Sequence, residues 1–304
     1  MPKLFVYDTG RRVTSLITMS FARGAITDKS WDVKHIPISH YLKDGIPDHF
    51  RPGVDAVASL GILRGTGLMF KEAKHKGIDY YYMDHAYFNP GYSGKGWMRI
   101  VKNGHSCTNL RDYANDRWKM WFKGKNPCMG WLRNEQRGAK IIICPPTGAV
   151  AWYMGLNYDW GEMVKDRLET MLPPEEHHRI VIRRKPKEPI VDDKGNLIEL
   201  KVYPQEGTLE DDLKQAHCVI AYNSMVAMQA TLQGIPVITS EHSCCSKVSF
   251  RLEDFENNPY PEKFNTEPVN RIPLLYWLAA NQWKSSEIED GTAWNMLQEH
   301  YNGV

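Results

Sequence analysis

The segment VIAYNSMVAMQATLQGIPVIT, Val219 to Thr239, constrains the fold of this chain more than any other. Val219, Ile220 and Ala221 form a short apolar run suited to a buried parallel strand. Asn223 and Ser224 then stand where a helix begins, and Ala227, Ala230 and the unbranched Met225, Met228, Gln229 and Leu232 carry that helix. Gly234 ends it, and Ile235-Pro236-Val237-Ile238 opens a second strand. A helix start presents unpaired N–H groups and the positive end of the helix dipole. With the Ser224 hydroxyl, these suit a phosphate oxygen. The same residues also fit an ordinary βαβ crossover with a serine cap.

At 304 residues the chain is long enough for two domains. Its 42% hydrophobic content supports ordinary cores. No apolar run approaches the roughly 20 residues of a membrane span, and the N-terminus lacks a signal-peptide pattern. The expectation is a soluble, cytoplasmic protein. The six cysteines show neither a CxxC pair nor a histidine at zinc-ligand spacing, so they read as reduced thiols.

Formal charge is only +2, but it is segregated along the chain. Residues 1 to 150 hold 23 Lys and Arg against 12 Asp and Glu, whereas the remainder holds 15 against 24. A basic half and an acidic half point to different ligands. The excess peaks between Lys95 and Lys140, where 11 basic residues face three acidic ones with Trp97, Tyr113, Trp118, Trp121, Phe122 and Trp131 interleaved. Lysines there, such as Lys119, Lys123 and Lys125, suit phosphates, and aromatic rings suit stacked bases. Filling a core is the commoner use of Trp.

Apolar runs alternate with helical stretches from LFVYD onward, the pattern of an α/β fold. The expected organisation is an acceptor-binding domain over 1–138, a donor-binding domain over 139–272 and a helical segment over 273–304. The basic stretch reads as loops with one short helix around Leu110 to Phe122. A strand in HRIVIRRKP delivers Arg183, Arg184 and Lys185 to the carboxyl edge of a sheet, the edge expected to hold Asn223, Ser224 and Met225. Open α/β sheets bind ligands there. The cations also fit a solvated strand end.

YYYMDHAYFNPG brings Asp84 and His85 to the end of a strand among aromatic residues. A carboxylate beside an imidazole suits proton abstraction from a hydroxyl, with Asp84 as base and His85 as a replacement base or a sugar and phosphate ligand. A helix cap and a packed imidazole are the plain alternatives. Asp8 and Thr9, after the first strand, offer another base position. Gly61 to Gly67, GILRGTG, suits a phosphate cradle but matches neither a Walker loop nor GxGxxG and reads equally as a tight turn, with Arg64 at its tip placed to touch an acceptor phosphate.

Arg183 to Pro186, Asn223-Ser224, Ala230 and Gly234-Ile235-Pro236-Val237-Ile238 together resemble the donor-binding domain of GT-B glycosyltransferases over roughly residues 139 to 245. That family places a basic or His-Pro strand end before a Ser/Thr turn and a helix ending A-x-x-x-G-x-P-V-I. YYYMDHAYF is similar to a stretch of phage and capsule-type glycosyltransferase-like proteins. The resemblance implies two Rossmann-like domains facing across a cleft, a nucleotide-sugar donor and no obligatory metal. The chain lacks the E-x(7)-E pair that meets the donor ribose in many relatives; Gln229 and Gln233 occupy that helix instead. With the basic stretch, the resemblance suggests double-stranded DNA bearing a hydroxymethylpyrimidine as acceptor, in the host cytoplasm for a phage-encoded chain. A capsule or lipopolysaccharide acceptor, and a non-catalytic nucleotide- or DNA-binding protein, are the alternatives.

Overall fold

Two sheets form around the apolar runs, one mixed and one parallel, one in each of two compact units. The computed structural model describes residues 1–43, 46–47, 53–88, 96–122, 128–252 and 270–302. The first unit comprises Met1–His105, Asp192–Leu197 and Leu278–Val304, the second Ser106–Val191 and Ile198–Trp277.

The first unit runs β1 (Lys3–Asp8), α1 (Arg12–Ile26), β2 (Asp32–Pro37), the two-residue strands β3 (Leu42–Lys43) and β4 (Ile46–Pro47), β5 (Ala56–Leu60), α2 (Thr66–Lys76), β6 (Asp79–His85) and β7 (Trp97–Lys102). The second contains α3 (Asp116–Phe122), β8 (Lys140–Cys144), α4 (Gly148–Met154), α5 (Trp160–Met171), β9 (Ile180–Ile182), β10 (Lys187–Val191) and β11 (Leu197–Val202). It continues with α6 (Leu209–Lys214), β12 (Ala216–Ala221), α7 (Met225–Leu232), β13 (Val237–Thr239) and β14 (Phe250–Arg251). A final strand, β15 (Gln282–Lys284), belongs to the first sheet.

The first sheet has the order β15-β7-β6-β5-β1-β2. Its strands β2, β1, β5 and β6 run parallel, and β7 and β15 are antiparallel to their neighbours. The second, β14-β13-β12-β8-β9, is parallel throughout. Each sheet therefore reverses its winding once: between β1 and β5 in the first, and between β8 and β12 in the second. These are the switch points where doubly wound sheets leave a crevice.

Strand burial follows strand position. β12, central in its sheet, is buried at all six residues, whereas β1 alternates with its pleat. The first core gathers Leu4, Ile17, Phe21, Tyr81, Met83, Trp283 and Trp294. Each such side chain contributes about 1.5–3 kcal/mol by leaving water. Trp294 meets Phe21 and Tyr81 at ring separations of 5.8 and 5.3 Å. A Cβ on Gly24 of α1 would overlap the Ile288 carbonyl oxygen, so this glycine lets α1 lie flush on the helix Ser285–Glu289. The second core is built on Ile141, Ile143, Leu168, Cys218, Ile220 and Ile238.

Three organisational expectations shift. Residues 106–138 belong to the second unit rather than to an N-terminal domain ending at 138. The backbone explains this: Met129 N–H donates to Leu232 O, Leu132 N–H to Gly234 O and Gly138 N–H to Ala216 O. The C-terminal segment is divided between the units, and β15 interrupts its helices. Within the basic stretch, WMRIVK is the strand β7 with five of six residues buried, not a loop. Its basic residues masked an apolar set, Trp97, Met98, Ile100 and Val101.

Candidate functional site

In the second unit, β12 stops at Ala221 and Tyr222-Asn223 turns the chain into α7. Ser224 is the N-cap, with φ −69° and ψ 144°, and its Oγ accepts from Val226 N–H at 3.3 Å. That bond is long, so the cap holds the helix start loosely. Ser240 donates to the Tyr222 carbonyl through both its N–H (3.1 Å) and Oγ (2.7 Å), which fixes the turn. The side-chain Nδ2 of Asn223 is buried and has no hydrogen-bond partner among the described residues. A buried amide donor left unsatisfied costs about 1–3 kcal/mol, which a ligand acceptor would recover.

Gly234 closes this helix for two reasons. Its φ is +77°, in the left-handed region, and a Cβ would overlap the Gly130 carbonyl oxygen. Across the switch point, β8 ends at Cys144 and Pro145-Pro146-Thr147 leads into α4. There the Gly148 N–H donates at 2.7 Å to Oε1 of Glu188, a carboxylate only 4% exposed. The Glu188 side chain thus already meets the start of α4, whereas among the described residues the start of α7 has only its serine.

The basic strand end is mostly spent. Arg183 donates to the Asp212 carboxylate and, at 3.3 Å, to Gly207 O, and Lys140 holds the same carboxylate at 3.1 Å. Asp212 is 7% exposed, so two cations offset the cost of burying it. Arg184 pairs with Glu162 at 3.2 Å and lies over the Tyr203 ring at 5.4 Å. Lys185 is exposed and makes no ion pair among the described residues. β9 and β12 share a carboxyl edge but are separated by β8, about 10 Å from strand to strand. Asn223, Ser224 and Met225 therefore lie together, with Lys185 two strands away.

In the first unit, Asp84 and His85 end β6 as expected, within a network larger than the sequence suggested. Oδ2 of Asp84 accepts from the Tyr82 hydroxyl at 2.6 Å and from Arg99 at 3.0 Å, while Oδ1 accepts from the His85 N–H at 2.7 Å. Arg99 also donates to His85 O at 3.1 Å and faces the rings of Tyr82 and Tyr87 at 5.8 and 5.3 Å. The Tyr82 oxygen lies 3.1 Å from His105 Nε2, with the two rings stacked at 4.6 Å. Tyr82 gives its proton to Asp84, so the His105 nitrogen is the donor in that contact.

Burial pushes the Asp84 carboxyl up, but Arg99, His105, the Tyr82 hydroxyl and His85 outweigh it and hold the group below the usual carboxylate range. Asp84 is thus an ionised anchor with both oxygens engaged. Tyr82, Arg99 and His105 went unnoticed in the sequence. Period-two alternation places Tyr82 on the face of Asp84, but Arg99 stands opposite Asp84 only in the β6–β7 register.

The other positions of the first unit have local duties. Asp8 accepts from Gly10 N–H and the Ser15 hydroxyl, both at 2.9 Å, and so shapes the entry to α1. The buried Oγ1 of Thr9 has no partner among the described residues. The Gly61–Gly67 turn closes on itself, with the Thr66 hydroxyl donating to Gly61 O and Leu63 O at 2.8 Å. Arg64 sits at its tip, exposed, at φ +63°. Partial burial and the charge of Arg11 pull its guanidinium below the usual range.

Most described cations of the basic stretch serve the fold. Besides Arg99 and Lys140, Lys102 pairs with Asp79 at 2.8 Å, Arg137 donates to Leu132 O at 3.0 Å and Arg117 is 8% exposed. Trp97 and Trp118 are buried, and Trp131 lies 4.1 Å beneath Arg271. Lys119 is exposed on α3, whereas Lys123 and Lys125 lie outside the described residues. Among the described residues no group of three or more His, Cys, Asp or Glu is placed to hold a metal ion. No helix there is long and apolar enough to cross a membrane. All six cysteines are free thiols.

No protein-family model matches the sequence, and no curated protein matches it. Among solved structures, the Thermosulfurimonas dismutans KpsC beta Kdo 2,7 transferase is similar at 11% identity and TM-score 0.43, over 98% of this chain and 99% of that chain. The beta Kdo 2,4 transferase of KpsC from the same organism is similar at 12% identity and TM-score 0.41, over 79% of each chain. The UDP co-structure of S. aureus MnaA follows at 9% identity and TM-score 0.28, over 100% of this chain and 98% of that chain. Likenesses this distant carry no argument about activity.

Proposed function

We propose that this chain is a glycosyltransferase that binds a nucleotide-diphosphate sugar through its second unit, with no obligatory metal. One observation carries the reading: the buried, unpartnered amide of Asn223 stands beside a loosely capped helix start at the switch point of a parallel sheet. Asn223, the Ser224 hydroxyl and the first N–H groups of α7, Met225 included, hold the diphosphate. Lys185 supplies mobile positive charge. Arg183 and Arg184, tied to Asp212 and Glu162, set the strand end from which Lys185 projects. Such donors stabilise a departing diphosphate by meeting charge as it develops.

In this reading the first unit supplies the base. With both Asp84 oxygens engaged and its basicity lowered, His85 takes the proton from the acceptor hydroxyl, and Asp84 orients it through the backbone they share. A glycan hydroxyl of the capsule type is the preferred acceptor. DNA bearing a hydroxymethylpyrimidine loses ground because most described cations of the basic stretch are engaged inside the fold, with Lys119 and Arg133 exposed there and Arg64 exposed outside it.

The test is donor hydrolysis and transfer with a panel of nucleotide sugars, using glycan and hydroxymethylated DNA acceptors. Asn223→Ala and Ser224→Ala should each lower turnover by about ten-fold or more. Unchanged kinetics in both would remove the donor site. DNA binding that falls by several decades per decade of salt would restore the nucleic-acid reading.

A further inference from the structure

The ribbon of β10 and β11 ends in a firmly built turn and presents an apolar face to solvent. Asp192 accepts from Lys194 N–H at 2.9 Å, Asn196 N–H at 2.7 Å and Asn196 Nδ2 at 3.0 Å. Gly195 takes the left-handed position at φ +78°. The ribbon is therefore ordered before it meets anything. All six residues of β11 are exposed. Pleat alternation puts Ile198, Leu200 and Val202 on one face, where they stand 67%, 53% and 64% exposed. Glu199 and Lys201 take the other face with Tyr203, whose ring lies 5.1 Å from Lys201 Nζ.

Among the described residues β11 pairs with β10 alone, in a two-stranded sheet that leaves its other edge open. An unpaired edge with an apolar face is a template for another strand. The sequence LIELKV is self-complementary as such a template. Antiparallel pairing of two copies about Leu200 sets Leu200 against Leu200, Ile198 against Val202, and Glu199 against Lys201 on both sides of the axis. Centring on Glu199 or on Lys201 instead opposes like charges. Centring between residues mixes the apolar and charged faces. Charge thus favours the register centred on Leu200 over its two neighbours that keep the apolar faces together.

We propose that β11 is a dimerisation strand that pairs antiparallel with β11 of a second copy of this chain, about a two-fold axis at Leu200. The joined ribbons form a four-stranded sheet in which six apolar side chains share one face and two Glu199–Lys201 pairs lock the other.

Sedimentation equilibrium of the full chain across roughly 1–200 µM tests this, since an interface of this small size gives weak association. The wild type should shift from monomer to dimer. Glu199→Lys and Lys201→Glu, each placing like charges opposite one another twice, should weaken the dimer roughly ten-fold. The double variant E199K/K201E should return it close to wild type. Both positions are exposed, and circular dichroism melts check that each variant folds. A monomer throughout, or a dimer indifferent to single and double reversals, overturns the proposal. A monomeric chain that sediments with anionic vesicles, and stops doing so as Leu200→Lys, also overturns it and assigns the face to a lipid surface.

Discussion

At the carboxyl edges of the two sheets, the Asp84 carboxylate and the Asn223 amide stand in opposite states. Around Asp84, Tyr82, His85 and Arg99 fill both carboxylate oxygens. Around Ser224, the helix start has one long cap bond and the neighbouring Asn223 amide has none. A satisfied buried network is a rigid fixture whose removal costs stability, while an unsatisfied donor costs stability until a ligand completes it. The Asp84 carboxylate is therefore a fixed point of the first unit, and the Asn223 amide an open donor of the second. The contrast predicts opposite responses to substitution.

The largest effect should come from Arg99→Met. It leaves the Asp84 charge without its main partner, and stability in urea should fall by about 2–4 kcal/mol, less than for a fully buried pair because the Asp84 side chain is 30% exposed. An unchanged urea midpoint would show that the network is not a fixture. Gly234→Ala comes next, at about 2–3 kcal/mol, because it combines a left-handed backbone with the Gly130 carbonyl overlap. Its cost should appear in the melting temperature.

The acid response sharpens the same comparison. Asp84 titrates below its unfolded value of about 3.9, so its contribution is complete above that pH and disappears as pH falls through the lowered folded value. Urea midpoints from pH 6 to 2 should drop at the acid end, and Asp84→Asn should flatten that part of the curve while lowering its plateau. The smallest effect on stability belongs to Asn223→Ala. No hydrogen bond is lost, so the change should be under about 1 kcal/mol. Nucleotide affinity, read by calorimetry, should nevertheless fall by about ten-fold. A variant that is both unstable and unaltered in binding would make Asn223 a structural residue and erase the contrast.

Much of the second unit was legible in the sequence, because its signals are local. The apolar run, the Ser cap, the helix and Gly234 all act within about 20 residues of one another. The Thr208 cap of α6, where a capping box with Asp211 forms, is equally local. The strand β7 was not legible, since Arg99 and Lys102 gave it the composition of a surface loop. Missing β7 concealed Arg99 and hence the character of Asp84. It also made a basic stretch look like a nucleic-acid surface when several of its cations balance carboxylates from elsewhere.

The sequence by itself determined the strands with uninterrupted apolar runs, the start and stop of α7, and the strand ends at which Asp84 and Ser224 stand. These follow from side-chain period and cap chemistry, which operate along the chain. Only the tertiary structure decided which of those polar residues are already committed. Arg183 meets Asp212 from 29 residues away, Lys140 meets it from 72 and Arg99 meets Asp84 from 15. Whether a charge is available to a ligand depends on the partner that folding brings to it, and no pattern along the chain specifies that partner.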